Sequence, residues 1–118
     1  MDKIKEYETS NEMYLDVPKD GIGTFHCAGI VTGRLEKYRD ITEEWLDRYN
    51  IKYGFLKMFP TEMEEERNKN HVEEVSTFKA RIFSESNAHF FIESEISEAV
   101  KIRRKSGKLV ICPEERYG

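Results

Sequence analysis

Apolar residues along the chain form short continuous runs, separated by longer stretches in which they recur every three or four positions. The runs lie at 22–32, 51–58, 89–92 and 109–112. Runs of this kind, bounded by turn residues, are typical of strands, and the stretches between them are typical of helices. The sequence therefore predicts an α/β fold: a three-layer Rossmann-like parallel sheet with helices on both faces.

The helices have recognisable ends. In the first, apolar residues from Leu35 to Tyr49 share one face, and Asn50 suits a left-handed helix end. The second is expected to begin with Thr61 as its N-cap and an acidic first turn. We predict an interruption at 68–70, followed by a second apolar face over 72–83.

A third helix is predicted after the run at 89–92. Ser94 is its expected N-cap, Glu98 favours its positive end, and Gly107 ends it. Its predicted inner face consists of Ile96, Ala99, Val100 and Ile102. The basic residues of its last turn, 103–105, suit a helix C-terminus, and a nucleic-acid contact is the weaker alternative.

Length and charge narrow the class of protein. The 118 residues predict one domain over 13–113, with a flexible segment at 1–12 and a polar tail at 114–118. A net charge of −4 argues against nucleic acid as a partner. The sequence contains no run of about 18 apolar residues, so no membrane span is predicted, and no signal peptide is recognisable. Cys27 and Cys112 are expected to be reduced thiols in a cytoplasmic protein, with a disulfide or redox pair as the alternative.

The polar residues with the clearest chemistry follow the first strand. Thr32 brings a hydroxyl, Gly33 a permissive backbone and Arg34 a guanidinium, just before a helix. Ligands bind at the carboxyl ends of parallel strands, and a helix N-terminus suits a phosphate. We therefore expect these three residues to contact a phosphorylated small molecule. The alternatives are that Thr32 caps the strand end and that Arg34 is solvated.

Several segments keep the order and spacing of a known family: Ile-Val-Thr-Gly-Arg at 30–34, Tyr-Arg at 38–39, Thr-Glu-Glu-Trp-Leu at 42–46, Ile-Lys-Tyr at 51–53 with Leu56 and Met58, Lys-Ala at 79–80, Phe-Ile-Glu-Ser at 91–94 and Gly-Lys-Leu-Val-Ile-Cys at 107–112. Together they resemble the haloacid dehalogenase (HAD) superfamily over residues 13–112. The most similar members are HAD-like domains found beside phosphoribosyltransferase domains in bacteria and phages.

The resemblance implies magnesium-dependent phosphoryl chemistry and assigns roles. Thr32 would bind the transferring phosphoryl oxygen, and Lys79 would offset the negative charge at the reacting centre. Glu93 would hold Mg²⁺ directly or through water, although Ser94 stands where the family has an adjacent aspartate. Lys101 or Lys108 could take the lysine's place. Glu93 could instead be a helix N-terminal carboxylate that accepts backbone hydrogen bonds.

The family's nucleophile is missing from the sequence pattern. An Asp-x-Asp should follow an apolar strand, but Asp16 and Asp20 have the wrong spacing and Pro18 lies between them. The match suggests that the chain begins downstream of this motif. The loss of that central strand would leave two halves of a sheet with unpaired edges. We expect Met13–Val17, the segment at Ile22, or a strand from another chain or a second copy to fill the gap.

These observations predict a HAD-like phosphatase module or fragment. It would carry out magnesium-dependent chemistry if an Asp-x-Asp segment completed it, and it would be weak or inactive on its own. Whether it is an enzyme is left open. The alternative is a non-catalytic Rossmann-like binding or interaction module linked to phosphoribosyltransferase or nucleotide metabolism.

Overall fold

The chain is a mixed α/β protein in the computed structural model, which describes residues 13–15 and 27–113. Single 3-10 turns at 36–38 and 61–63 precede the first two helices. The elements in chain order are β1 (Met13–Leu15), β2 (Cys27–Leu35), α1 (Arg39–Arg48), β3 (Leu56–Phe59), α2 (Glu64–Lys69), α3 (His71–Glu85), β4 (Phe90–Ile92), α4 (Ile96–Ser106) and β5 (Leu109–Ile111).

The five strands form one sheet in the order β3-β2-β1-β4-β5. The pairs β2–β3 and β4–β5 are parallel, whereas β1 runs antiparallel to both of its neighbours. The prediction of a wholly parallel sheet is therefore wrong at β1. Only the short connection 16–26 separates β1 from β2, and a parallel crossover needs a dozen residues or more.

β1 lies in the gap that the sequence predicts between the two halves of the sheet. Met13 pairs with Ile30 of β2 on one side and with Ile92 of β4 on the other. Of the alternatives named for this gap, the segment beginning at Met13 is the one that the structure places there. The described sheet is continuous as a result.

Alternate residues of β2 enter two hydrophobic clusters, because successive side chains of a strand point to opposite faces. Ile30 packs with α1 and β3 through Trp45, Leu46, Leu56 and Met58. Val31 belongs to the second cluster, which draws on α3, β4 and α4. The other fully buried members of that cluster are Phe83, Phe91 and Ile102.

Three of the predicted helix boundaries are confirmed, and two of the predicted N-caps are wrong. Asn50 and Gly107 have positive φ angles of 58° and 72°, as the left-handed ends require, and α2 gives way to α3 at Asn70. Thr61 is not a side-chain cap, because its hydroxyl accepts a hydrogen bond from the Lys37 N–H. Ser94 is not the N-cap of α4 either, because Glu95 takes that position.

The predicted inner face of α4 is half wrong. Ala99 and Ile102 are buried, but Ile96 is 53% exposed and Val100 44% exposed. α4 packs beside β5, the last strand of the described sheet, so its outer flank has no neighbouring element there. Helical periodicity identifies an apolar face without showing how far the sheet beneath it extends.

Other predictions have simpler outcomes. Cys27 and Cys112 are both half-buried, and no disulfide joins them. In the described part of the chain, no helix combines the length and the apolar character needed to cross a membrane. The predictions for 1–12, 114–118, Asp16 and Asp20 lie outside the described residues.

Candidate functional site

The candidate residues gather at one edge of the sheet. Ile30 and Ile92 are level with each other because both pair with Met13. Thr32, two residues beyond Ile30 within β2, and Glu93, directly after β4, therefore lie towards the same edge. Since β1 separates these two strands, β2 and β4 are about 10 Å apart at a spacing of about 4.8 Å per strand. This edge carries the carboxyl ends of the four mutually parallel strands, where α/β proteins bind ligands.

Thr32 and Arg34 form a tight, buried corner at the end of β2. Thr32 is fully buried, and its Oγ1 accepts a hydrogen bond of 3.1 Å from the Arg34 N–H. Arg34 is 6% exposed, and its Nε donates to Thr42 Oγ1 at 2.9 Å. β2 continues to Leu35, so Thr32 lies within the strand and does not cap its end, and its hydroxyl is held by the backbone two residues further on. The substrate-binding roles of Thr32, Gly33 and Arg34 stay predictions.

Gly33 lets helix α3 approach β2 closely. A Cβ atom on Gly33 would lie 2.8 Å from Val75 Cγ1, which is shorter than a normal contact. The Gly33 carbonyl also accepts a 2.9 Å hydrogen bond from Arg67 Nε. Glycine is thus required here because α3 leaves no room for a side chain, and this close approach brings the next turn of α3 towards the sheet edge.

The structure brings Lys79 and Glu93 into direct contact. The Lys79 ammonium donates to Glu93 Oε1 at 3.0 Å and to Glu98 Oε1 at 2.8 Å. Lys79 is 1% exposed and Glu93 is fully buried. The rival lysines lie elsewhere: Lys101 pairs with Glu73, and Lys108 donates to backbone carbonyls. We call Lys79, Glu93 and Glu98 the buried ion cluster.

Helical spacing explains why this ammonium is buried. Lys79 stands four residues after Val75 and four before Phe83, and both of these neighbours belong to the hydrophobic core. A charge on that face must be paired, because leaving an isolated ammonium in an apolar interior is very costly. Glu93, from the end of β4, and Glu98, from the first turn of α4, supply the opposite charges. The cluster therefore ties α3, β4 and α4 together.

The pKa of Glu93 in this cluster is shifted mainly by burial and secondarily by the neighbouring charges. Burial raises the pKa of Glu93, and the Lys79 ammonium opposes this rise. Glu93 Oε2 also accepts a 3.0 Å hydrogen bond from the Glu95 N–H at the start of α4. Of the two roles weighed from the sequence, this contact is that of the helix N-terminal carboxylate, and the role of Mg²⁺ ligand stays a prediction. His71 Nε2 lies 3.9 Å from Glu98 Oε2, and burial lowers the pKa of His71.

Glu98 is the residue of this cluster that sequence reasoning missed. A glutamate in the first turn of a helix is already explained by the helix dipole, so its presence suggested nothing further. The signal was Lys79 itself, because a lysine at the spacing of Val75 and Phe83 requires buried carboxylates. Two of the three acidic residues near the start of α4 turned out to supply them.

The cluster does not fit a magnesium site as it stands. Mg²⁺ needs several oxygen ligands, but Glu93 and Glu98 each direct one carboxylate oxygen to the Lys79 ammonium, which offsets one of their two negative charges. Within residues 27–113, no group of three or more histidine, cysteine, aspartate or glutamate side chains is arranged to hold a metal ion. Lys79 is the cation of this site.

Comparisons with known proteins identify no relative. No protein-family model matches the chain, and neither the curated proteins nor the solved structures contain a match. The residues and their geometry are therefore the evidence for function.

Proposed function

We propose that this chain is a HAD-like phosphohydrolase module that recognises a phosphorylated small molecule and is weak or inactive on its own. A three-layer Rossmann-like arrangement is part of the same proposal. The observation that supports it best is the contact between Lys79 and Glu93. These residues were assigned to two different family motifs from the sequence, and their side chains meet at 3.0 Å in a buried position.

The chemistry assigned to each group follows from its charge and position. A phosphoryl group at this edge would lie between the ends of β2 and β4, near Thr32 and the start of α4. Lys79 would offset part of its negative charge, as preorganised cations do in phosphoryl transfer. The strand between them offers no carboxylate to attack phosphorus, because β1 consists of Met13, Tyr14 and Leu15. Weak or absent turnover is the expected consequence.

A non-catalytic binding module is the second candidate, and two contacts favour it. The groups expected to contact substrate, Thr32 and Arg34, are hydrogen-bonded within the chain. Lys79 is shared between two carboxylates, which reduces the positive charge available to a ligand. Such a module would bind a phosphorylated compound of nucleotide or phosphoribosyl metabolism in the cytoplasm without hydrolysing it.

A phosphatase assay on the purified full chain separates the two candidates. Hydrolysis of p-nitrophenyl phosphate is measured with and without Mg²⁺ for the wild type, Thr32→Val and Glu93→Gln, with the exposed Glu85→Gln as the matched control. Weak turnover that both site variants abolish and the control retains supports the module. Robust turnover with the same pattern would contradict the expectation that the chain by itself is weak or inactive. Turnover that neither variant changes would refute the assigned site.

A further inference from the structure

An apolar surface lies at the outer edge of the sheet, away from the candidate site. It is formed by Ile96 and Val100 of α4 and by Leu109 and Ile111 of β5, which are 39–53% exposed. A groove of about 390 Å³ runs between the two elements, with Val110 and Cys112 among its lining residues. Ile96 and Val100 border this groove on one face of β5, and Leu109 and Ile111 are exposed on its opposite face, so the edge is apolar on both sides. Single exposed apolar residues are ordinary, but several on one edge indicate an interaction surface.

The backbone of β5 adds hydrogen-bonding capacity to this surface. β5 is the last strand of the described sheet and pairs only with β4 there. Its three residues, Leu-Val-Ile, include none of the lysines or prolines that proteins use to protect an edge strand. We call β5 with the exposed flank of α4 the edge surface.

The two ends of the edge surface carry opposite charges. α4 runs antiparallel to β5, since Cys112 Sγ at the end of β5 donates to the Ser94 carbonyl before α4 begins. Glu95 therefore lies at one end of the groove, and Arg103 and Arg104 lie at the other. Among the described residues, no hydrogen bond or ion pair involves the side chains of these three, and all three are exposed.

We propose that the edge surface binds a second copy of this chain. A two-fold axis at β5 pairs the two β5 strands antiparallel and extends the sheet through both copies. The same axis places Glu95 of each copy beside Arg103 and Arg104 of the other. Rotation by 180° brings the acidic end of one copy against the basic end of the other, so the surface is complementary to itself. This self-complementarity favours a second copy of the chain as the partner.

The packing at such an interface follows from the exposed residues. Val100 lies near the two-fold axis and faces the partner's Val100, with Ile96 packed beside it, because the two α4 helices are antiparallel neighbours on one face. Leu109 and Ile111 meet their counterparts on the opposite face of the extended sheet. The contact is closed, so it yields a dimer and not a filament.

Charge reversal and charge exchange test this interface on the full chain. Sedimentation equilibrium is measured from about 1 to 200 μM for the wild type and for Arg103→Glu/Arg104→Glu, which should dissociate the dimer at least about tenfold more readily. Adding Glu95→Arg to that double variant restores the opposite charges and should recover dimerisation. Lys52→Glu/Lys57→Glu, with the same change in net charge on exposed positions elsewhere, is the matched control and should behave as wild type.

A second variant acts on the strand itself. Ile111→Lys places a charge on β5 and should leave a folded monomer, with the fold checked by circular dichroism. A wild type that is monomeric throughout the concentration range would overturn the proposal. A dimer that survives both the double arginine variant and Ile111→Lys would overturn it as well, as would polymers larger than a dimer.

Discussion

Replacing Lys79 with methionine isolates the contribution of the buried ion cluster. The substitution keeps most of the side-chain volume but removes the ammonium that Glu93 and Glu98 share at 3.0 and 2.8 Å. Breaking a buried ion pair by removing one partner costs about 3–5 kcal/mol, because the remaining charge is buried without compensation. We expect a loss of stability in that range at pH 7.

Protonation sets a limit to this cost. A carboxyl group with an ordinary pKa of 4.5 takes up a proton at pH 7 for about 3.4 kcal/mol, at 1.36 kcal/mol per pH unit. Glu93 in the variant would escape its unpaired charge in this way, so its folded-state pKa rises further. A raised carboxyl pKa contributes stability at low pH and loses it as the pH rises. The deficit of Lys79→Met should therefore shrink as the pH falls from 7 towards 4.5.

Urea unfolding followed by the fluorescence of Trp45, the chain's single tryptophan, measures the effect. With a slope of about 2 kcal/mol per molar urea, a loss of about 4 kcal/mol lowers the midpoint by about 2 M. If the variant is unfolded at pH 7, it should regain structure near pH 5, where protonation removes the unpaired carboxylate charge. Combining Lys79→Met with Glu93→Gln and Glu98→Gln should recover a large part of the loss.

Lys69→Met is the matched control, because Lys69 is exposed on α2. Surface substitutions of this kind change stability by about 0.5 kcal/mol or less. A loss below about 1 kcal/mol for Lys79→Met would refute the role of the cluster in joining α3, β4 and α4. A larger loss that stays constant between pH 7 and 5 would show that unpaired carboxylates are not its cause.

Three further predictions concern neighbouring features. Gly33→Ala should cost about 1–3 kcal/mol in urea unfolding, because its Cβ would meet Val75 at 2.8 Å; an unchanged midpoint would contradict the close approach of α3. Because burial raises the pKa of Glu93, the wild type should lose stability relative to Glu93→Gln as the pH rises above 4.5, and a flat difference would exclude this. Burial also raises the pKa of the Cys27 thiol, so in Cys112→Ser it should react with Ellman's reagent several-fold more slowly when folded than in urea; equal rates would contradict this.

Local chemistry explains which parts of the fold were predictable from the sequence. Asn50 and Gly107 end helices because few residues adopt a positive φ at low cost, and such signals depend on the residue itself. Lys79 and Glu93 were chosen from the order and spacing of several segments, and the structure places their side chains in contact.

The features that the sequence did not predict depend on tertiary context. The patch Met13–Leu15 is three residues long, so its pattern carries no information on strand direction, and the antiparallel pairing emerges only in the sheet. Ile96 and Val100 fit an inner helix face, yet β5 is the last described strand and leaves them exposed. Glu98 already had a sufficient local explanation in the helix dipole, which concealed its contact with Lys79.

Titration of the ¹⁵N-labelled full chain with inorganic phosphate is the sharpest test of the proposed phosphoryl site, because amide chemical shifts report where an anion binds whether or not turnover occurs. We expect binding at about millimolar phosphate, with the largest shifts at Gly33, Arg34, Ser94 and Glu95 and with loss of these shifts in Thr32→Val. Shifts confined to the basic end of α4 at 103–105, or no saturable shifts at all, would contradict a phosphoryl site between the ends of β2 and β4.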